Sequence, residues 1–223
     1  MESIIITIDG ASSTGKSSLA KAIAKHYGFT HIDSGAMYRA LTFYAQDKKL
    51  LNDRLFDVKT LISRLPTIDI DFSKNDEITL NGKTIEDEIR SMEVSNKVSI
   101  VAKEPRLRQF MVAKQRHLGA KGSVVMDGRD IGSVVFPNAK IKFFLEASTE
   151  VRINRRHAEL VEKGENVSVE EVHANIEKRD HIDSNRDDSP LIVPENAIVL
   201  SNDKDGLMDI FTLATTEIDK HLT

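Results

Sequence analysis

Hydrophobic and polar positions along the chain change period several times, and each change marks a different kind of element. Ile4 to Ile8 form a short β-branched run ending in Asp9-Gly10; a loop of small residues follows, and Lys16 to His26 reads as a helix. The order strand, turn, helix then repeats. Phe29 to Asp33 reads as a second strand, and Ser34-Gly35-Ala36-Met37-Tyr38-Arg39-Ala40-Leu41 opens a helix for which Ser34 is the expected N-cap. Two β-α units in series predict a parallel sheet. Between about Leu61 and Val101 the period shortens to 2: Ile68-Asp69-Ile70-Asp71-Phe72 alternates, and Ile78 to Ile85 is a strand pair around Asn81-Gly82. This predicts a small antiparallel insertion over 61–101. The alternative, edge strands of the main sheet, is disfavoured because alternation marks a half-exposed sheet, whereas the other strand runs are continuously apolar. Ser123-Val124-Val125-Met126-Asp127, Ile141-Lys142-Phe143-Phe144-Leu145 and Ala197-Ile198-Val199-Leu200 complete five parallel strands. Glu150 to Asp188 is charge-dense and helical in texture, with Gly164 as the break between two helices.

Composition narrows the class. At 223 residues the chain suits one α/β domain carrying an insertion, and 40% hydrophobic with 30% charged residues is a globular balance. Lys plus Arg number 31 against 35 Asp plus Glu, a net charge of −4, and aromatics are only 5%. Neither a polyanion footprint nor a set of stacking platforms is present, so nucleic acid and membrane are not expected partners. Any bound anion must be held locally. The chain has no cysteine, which excludes disulfides and a thiolate nucleophile and suits a reducing compartment. Glu2 stands where a signal peptide needs positive charge, so a cytoplasmic location is expected.

Gly10-Ala11-Ser12-Ser13-Thr14-Gly15-Lys16-Ser17 matches G-x-x-x-x-G-K-[ST] in full, directly after one predicted strand and opening a helix. Glycines let the backbone wrap an anion, and N–H groups at the helix start supply partial positive charge. Lys16 is placed for the β/γ phosphates and Ser17 for Mg²⁺. Asp127, ending the Val124-Val125-Met126 run, stands where a carboxylate could hold that metal directly or through water.

Such a loop implies ATP or GTP with Mg²⁺ but leaves the fate of the γ-phosphate open. A GTPase would need an Asn-Lys-x-Asp reader, and in Asn202-Asp203-Lys204-Asp205 an extra Asp disrupts that spacing. A regulatory or remodelling NTPase would need a docking region, and none is apparent. A small-molecule kinase fits best. Its expected clamps are the arginines near strand ends and in the charge-dense helices, with Arg152, Arg155 and Arg156 on one helix face at i, i+3, i+4 spacing.

Asp9-Gly10 with the phosphate loop, Asp33 to Arg39, Asp127-Gly128-Arg129-Asp130-Ile131-Gly132, and Arg179-Asp180 through Asp183 to Asn185-Arg186 together resemble the bacterial cytidylate kinases of the nucleoside monophosphate kinase family. The resemblance covers nearly the whole chain in order. It implies a P-loop core at 1–60 and 102–223 with a five-stranded parallel sheet flanked by helices, a helical lid at about 150–167, and 61–101 as the monophosphate-binding insertion. It implies transfer of the ATP γ-phosphoryl group to CMP or dCMP, with UMP or another small acceptor as the alternative, in a monomer. ATP would be held by Gly10, Ala11, Ser12, Ser13, Thr14, Gly15, Lys16, Ser17 and Ser18. Arg39 and Arg129 would hold the acceptor phosphate, with Ser34 beside the nucleotide. Ser99, Arg108 and Asp130 would read cytosine, and Arg179, Asp183 and Arg186 would serve the ribose and phosphates. Lys16, Arg129 and the lid residues Arg152, Arg155 and Arg156 would act on the migrating group, and Ser17 and Asp127 on Mg²⁺. Ala11 departs from a common proline, and Ser18 from a common threonine, without altering the glycine spacing. No general base is required, because the attacking phosphate oxygen is already anionic. The seven histidines, lacking metal spacing, are expected to be structural or solvated.

Overall fold

The computed structural model describes residues 3–73, 75–203 and 206–222. Met1 and Glu2 of the N-terminal run, and Lys204 and Asp205 of the stretch compared with a guanine reader, lie outside them. The chain divides into two compact units, one comprising the residues up to His31 and from Gly119 onward, the other Ile32–Leu118.

In the first unit β1 (Ile5–Asp9) is the central strand of a five-stranded sheet. It pairs in parallel with β6 (Val124–Gly128), Ile6 opposite Val125, and with β7 (Ile141–Glu146), Ile8 opposite Phe143. β8 (Ile198–Ser201) adds to β7, and β2 (Thr30–Asp33), whose last residues open the second unit, completes the order β2-β6-β1-β7-β8. Five strands were expected, and five form. Ile6 and Ile8 are fully buried and pack with Leu19, Ala20 and Ile23 of α1 (Lys16–Tyr27) and with Ile210, Ala214 and Ile218 of α8 (Leu207–Leu222). The i, i+4, i+8 spacing on α8 is the apolar stripe that seats a helix on a sheet. Burying each such isoleucine contributes on the order of 2–3 kcal/mol. The charge-dense segment forms α6 (Thr149–Glu162) and α7 (Val169–Asn185), parted by a turn in which Gly164 has φ 80°.

The second unit holds the antiparallel sheet β3 (Ile70–Phe72), β4 (Ile78–Leu80) and β5 (Lys83–Thr84). Asn81 and Gly82 both have positive φ, 50° and 77°, as a two-residue hairpin requires. The unit is wider than 61–101. It also takes in α2 (Ser34–Asp47), α3 (Val58–Arg64), α4 (Met92–Lys103) and most of α5 (Pro105–Gly119), because α2 packs on both the small sheet and α4. The N-cap of α2 is Asp33, which accepts from the Ala36 N–H at 2.8 Å, and Ser34 is the first helical residue. A carboxylate at the end of β2 reaches the free N–H groups, so the serine one position later is displaced from the capping role expected for it.

Among the described residues no helix is long and apolar enough to cross a membrane.

Candidate active site

The phosphate loop lies at the carboxyl end of β1. Gly10 (φ 154°) and Gly15 (φ 95°) take backbone conformations that L side chains rarely adopt, and a Cβ on Gly10 would strike the Leu145 carbonyl. The loop therefore passes close against β7. Its next residue, Lys16, is buried and donates to the Ala11 carbonyl at 2.9 Å, and the Thr14 hydroxyl donates to the same oxygen at 3.2 Å. α1 begins at Gly15 with no side-chain cap, so its first N–H groups suit an external anion. Ser12 and Thr14 are buried, Ser13 adopts φ 59°, and Ser18 is exposed.

Three side chains brace the loop from outside. Arg129 Nη2 donates to Ser12 Oγ at 2.9 Å, Arg152 Nη1 to the Ser12 carbonyl at 3.3 Å, and Asn202 Nδ2 to the Thr14 carbonyl at 2.7 Å. Asn202 also accepts from Arg155 through its carbonyl at 2.8 Å. A cleft of about 400 Å³ opens here, lined by Ala11, Thr14, Phe144, Glu146, Arg152 and Asp203.

Near the end of β6 stands Asp127, whose Oδ2 accepts from the Ser17 hydroxyl at 2.6 Å and whose Oδ1 meets His31 Nε2 at 2.8 Å. Ser17 and Asp127 form an all-oxygen donor set suited to a hard cation such as Mg²⁺. No group of three or more His, Cys, Asp or Glu among the described residues could hold a metal by itself, so such an ion would need phosphate and water oxygens as well.

Beyond Asp127 the chain enters a turn over Ile131–Val135, clipped by Asp9, whose carboxylate accepts from the Ile131 and Gly132 N–H groups at 2.8 and 2.7 Å. Burial pushes the Asp9 carboxyl up to about 7, against those two hydrogen bonds. Arg129 and buried Asp130 are thereby tied to the loop strand. A carboxylate cluster lies beside them: Asp183 on α7 accepts from Arg129 Nε at 3.1 Å and lies 3.8 Å from Arg186 Nη1, while Arg186 Nη2 is 3.7 Å from Asp130. Burial pushes the Asp183 carboxyl up, but the charges of Arg129, Arg179 and Arg186 outweigh it and hold the group below the usual carboxylate range.

The arginine trio does not share one target. Arg152 is buried against Ser12 and Asp180, at 2.5 Å from the latter; Arg155 turns to Asn202; Arg156 pairs with Glu159 at 2.9 Å. Helical spacing places α-carbons on one face, but long side chains choose partners from whichever neighbouring element offers an acceptor.

In the second unit, Asp33 gathers two guanidinium groups, Arg39 at 2.9 Å and Arg90 at 3.3 Å, with Ser34 buried next to it in sequence. Arg108 is 2% exposed, donates to the Ala102 carbonyl at 3.0 Å, and lies 5.6 Å from the Tyr38 ring centre. Ser99 is buried on α4.

Residues 6–220 match the family model described as cytidylate kinase. The chain belongs to the cytidylate kinase family. Cytidylate kinases of Flavobacterium johnsoniae and Parabacteroides distasonis are 47% and 48% identical to it over 207 residues, 91% of this chain and 90% of each relative. That of a Geobacillus species is 47% identical over 198 residues, 87% of either chain. A crystal structure of an uncharacterized protein from Eubacterium ventriosum covers 97% of this chain and 98% of its own at a TM-score of 0.50 and 14% identity, a likeness of fold alone.

Four residues in this family member's site escape sequence reasoning. Arg90 reaches Asp33 as well as Glu86, Asn202 reaches Thr14 and Asp9 reaches Ile131 and Gly132, and no local pattern announces these long-range contacts. His31, expected to be structural or solvated, is buried and lies against Asp127, a partner the sequence does not announce, because β2 and β6 meet in the sheet order.

Proposed function

We propose that the protein is an ATP:(d)CMP phosphotransferase, acting as a monomer in the cytoplasm. ATP lies along Gly10–Ser18, its phosphates capping α1 beside Lys16. Ser17 and Asp127 would hold Mg²⁺, which would supply neutralisation of phosphate charge. Arg39 and Arg129 hold the acceptor phosphate, one of whose oxygens attacks the γ-phosphorus as the bond to ADP breaks. The nucleophile is already anionic, so alignment and charge stabilisation by Lys16, Arg129, Arg152, Arg155 and Arg156 supply the catalysis. The 61–101 segment serves the monophosphate, and the segment at about 150–167 closes as a lid that excludes water.

Asp130 and Arg108, with Ser99, read the base. Cytosine offers an amino donor at N4 and acceptors at N3 and O2, whereas the uracil O4 would meet the Asp130 carboxylate with like polarity; in a dry site this discriminates on the order of 10⁴-fold. Arg179, Asp183 and Arg186 serve the ribose and phosphates.

The observation that carries this reading is the end of β6 and the residues just after it, where Asp127, Arg129 and Asp130 stand beside Ser17, Ser12 and Arg186 respectively. The test is ADP release with CMP, dCMP, UMP, AMP or no acceptor. Turnover with CMP and dCMP far above the other arms is expected. Equal turnover without acceptor would refute the kinase reading, and a preference for UMP would move base recognition away from Asp130.

A further inference from the structure

His31 and Asp127 form a contact that the phosphate-transfer chemistry does not require. The His31 ring, 2% exposed, meets Asp127 Oδ1 at 2.8 Å, and Asp127 is itself 1% exposed. A carboxylate can only accept, so Nε2 carries the proton and donates. The opposite oxygen, Oδ2, takes the Ser17 hydroxyl at 2.6 Å. Rotation of the carboxylate about its own axis would break both contacts. An ion shared by Ser17 and Asp127 would replace the bond between those two; the bond from His31 sits on the other oxygen.

We infer that His31 is a positioning residue for the metal: its Nε2–H holds the Asp127 carboxylate with Oδ2 turned toward the Ser17 hydroxyl. Outer partners of this kind orient ligands, and their loss commonly weakens metal binding by roughly 10–100-fold. The inference rests on the metal role proposed above for Asp127.

The test is the ratio of ATP affinities measured calorimetrically with Mg²⁺ and with EDTA, on wild type, His31→Leu, His31→Gln and Asp127→Asn, with thermal melts confirming folded protein. Mg²⁺ should tighten ATP binding in the wild type. His31→Leu should shrink that ratio roughly tenfold or more, while His31→Gln, whose amide can donate from nearly the same place, should recover most of it. A role in packing alone would shift both affinities or the melting temperature and leave the ratio unchanged. If the ratio falls in Asp127→Asn but not in folded His31→Leu, or if His31→Gln fails to recover it, the inference is overturned while the metal role of Asp127 stands. A ratio unchanged in Asp127→Asn, or near one in the wild type, removes that metal role and the inference with it.

Discussion

Replacing Asp183 by Asn keeps the shape of a side chain that three arginines surround and removes its charge. Its separations from Arg129 and Arg186 are 3.1 and 3.8 Å, with Asp183 6% exposed. At an effective dielectric of about 20, each attraction is worth about 4–5 kcal/mol. Desolvation of the carboxylate offsets several kcal/mol of this, and the variant takes the Asp183 charge away from Arg129 and buried Arg186, so the net loss is about 3–5 kcal/mol. For a chain of this length that lowers the melting temperature by on the order of 10 °C. The loss should also depend on pH. The folded Asp183 binds its proton less readily than the unfolded residue, whose reference value is 3.8. Its stabilisation is therefore present above about pH 4 and disappears as pH falls through the lower, folded value. Paired melts of wild type and Asp183→Asn from pH 3 to pH 8 should show a large deficit at neutrality that begins to narrow below about pH 4. A deficit under about 1 kcal/mol at pH 7, or one equally large at both ends, would refute the electrostatic account of this cluster.

Lys16→Ala should lower kcat about 10²–10³-fold with a near-native melt, since its charge serves the transferring phosphates; normal turnover in folded protein would contradict this. Asp130→Ala should cut the CMP-to-UMP ratio of kcat/KM about 100-fold or more and leave the KM for ATP nearly unchanged, as initial rates with both acceptors will show. Gly10→Ala should destabilise by about 2 kcal/mol or more in urea unfolding, because its Cβ would meet the Leu145 carbonyl and its φ of 154° strains any side chain. Asp9 titrates with the opposite sense to Asp183. With a folded value of about 7 against 3.8, its stabilising contribution is fully present below about pH 4 and lost as pH rises through 7, a slope that Asp9→Asn should abolish in pH-dependent melts.

Strand periods were legible because a buried parallel strand must be apolar on both faces, and the Asn81-Gly82 hairpin because few residues accept positive φ in succession. The phosphate loop was legible for a similar reason: its glycine spacing records backbone geometry within eight consecutive residues. The capping of α2 by Asp33 rather than Ser34 was not, since either side chain could serve until the end of β2 is placed. The spread of Arg152, Arg155 and Arg156 onto Asp180, Asn202 and Glu159 could not be read from helical spacing, which orders α-carbons and not the tips of long side chains.

By itself the sequence determined the family, the parallel core with its antiparallel insertion, and the local chemistry of the anion loop, because each depends on residues close together in the chain. Only the tertiary structure decided which charges meet. Asp9 clips a turn that begins at Ile131, Asp183 gathers Arg129 from just beyond β6 and Arg186 from just beyond α7, and His31 faces Asp127. The Asp9 and His31 contacts follow from the order β2-β6-β1-β7-β8, which puts next to each other in space strands that lie some hundred residues apart in the chain; the Asp183 contacts depend on where α7 packs.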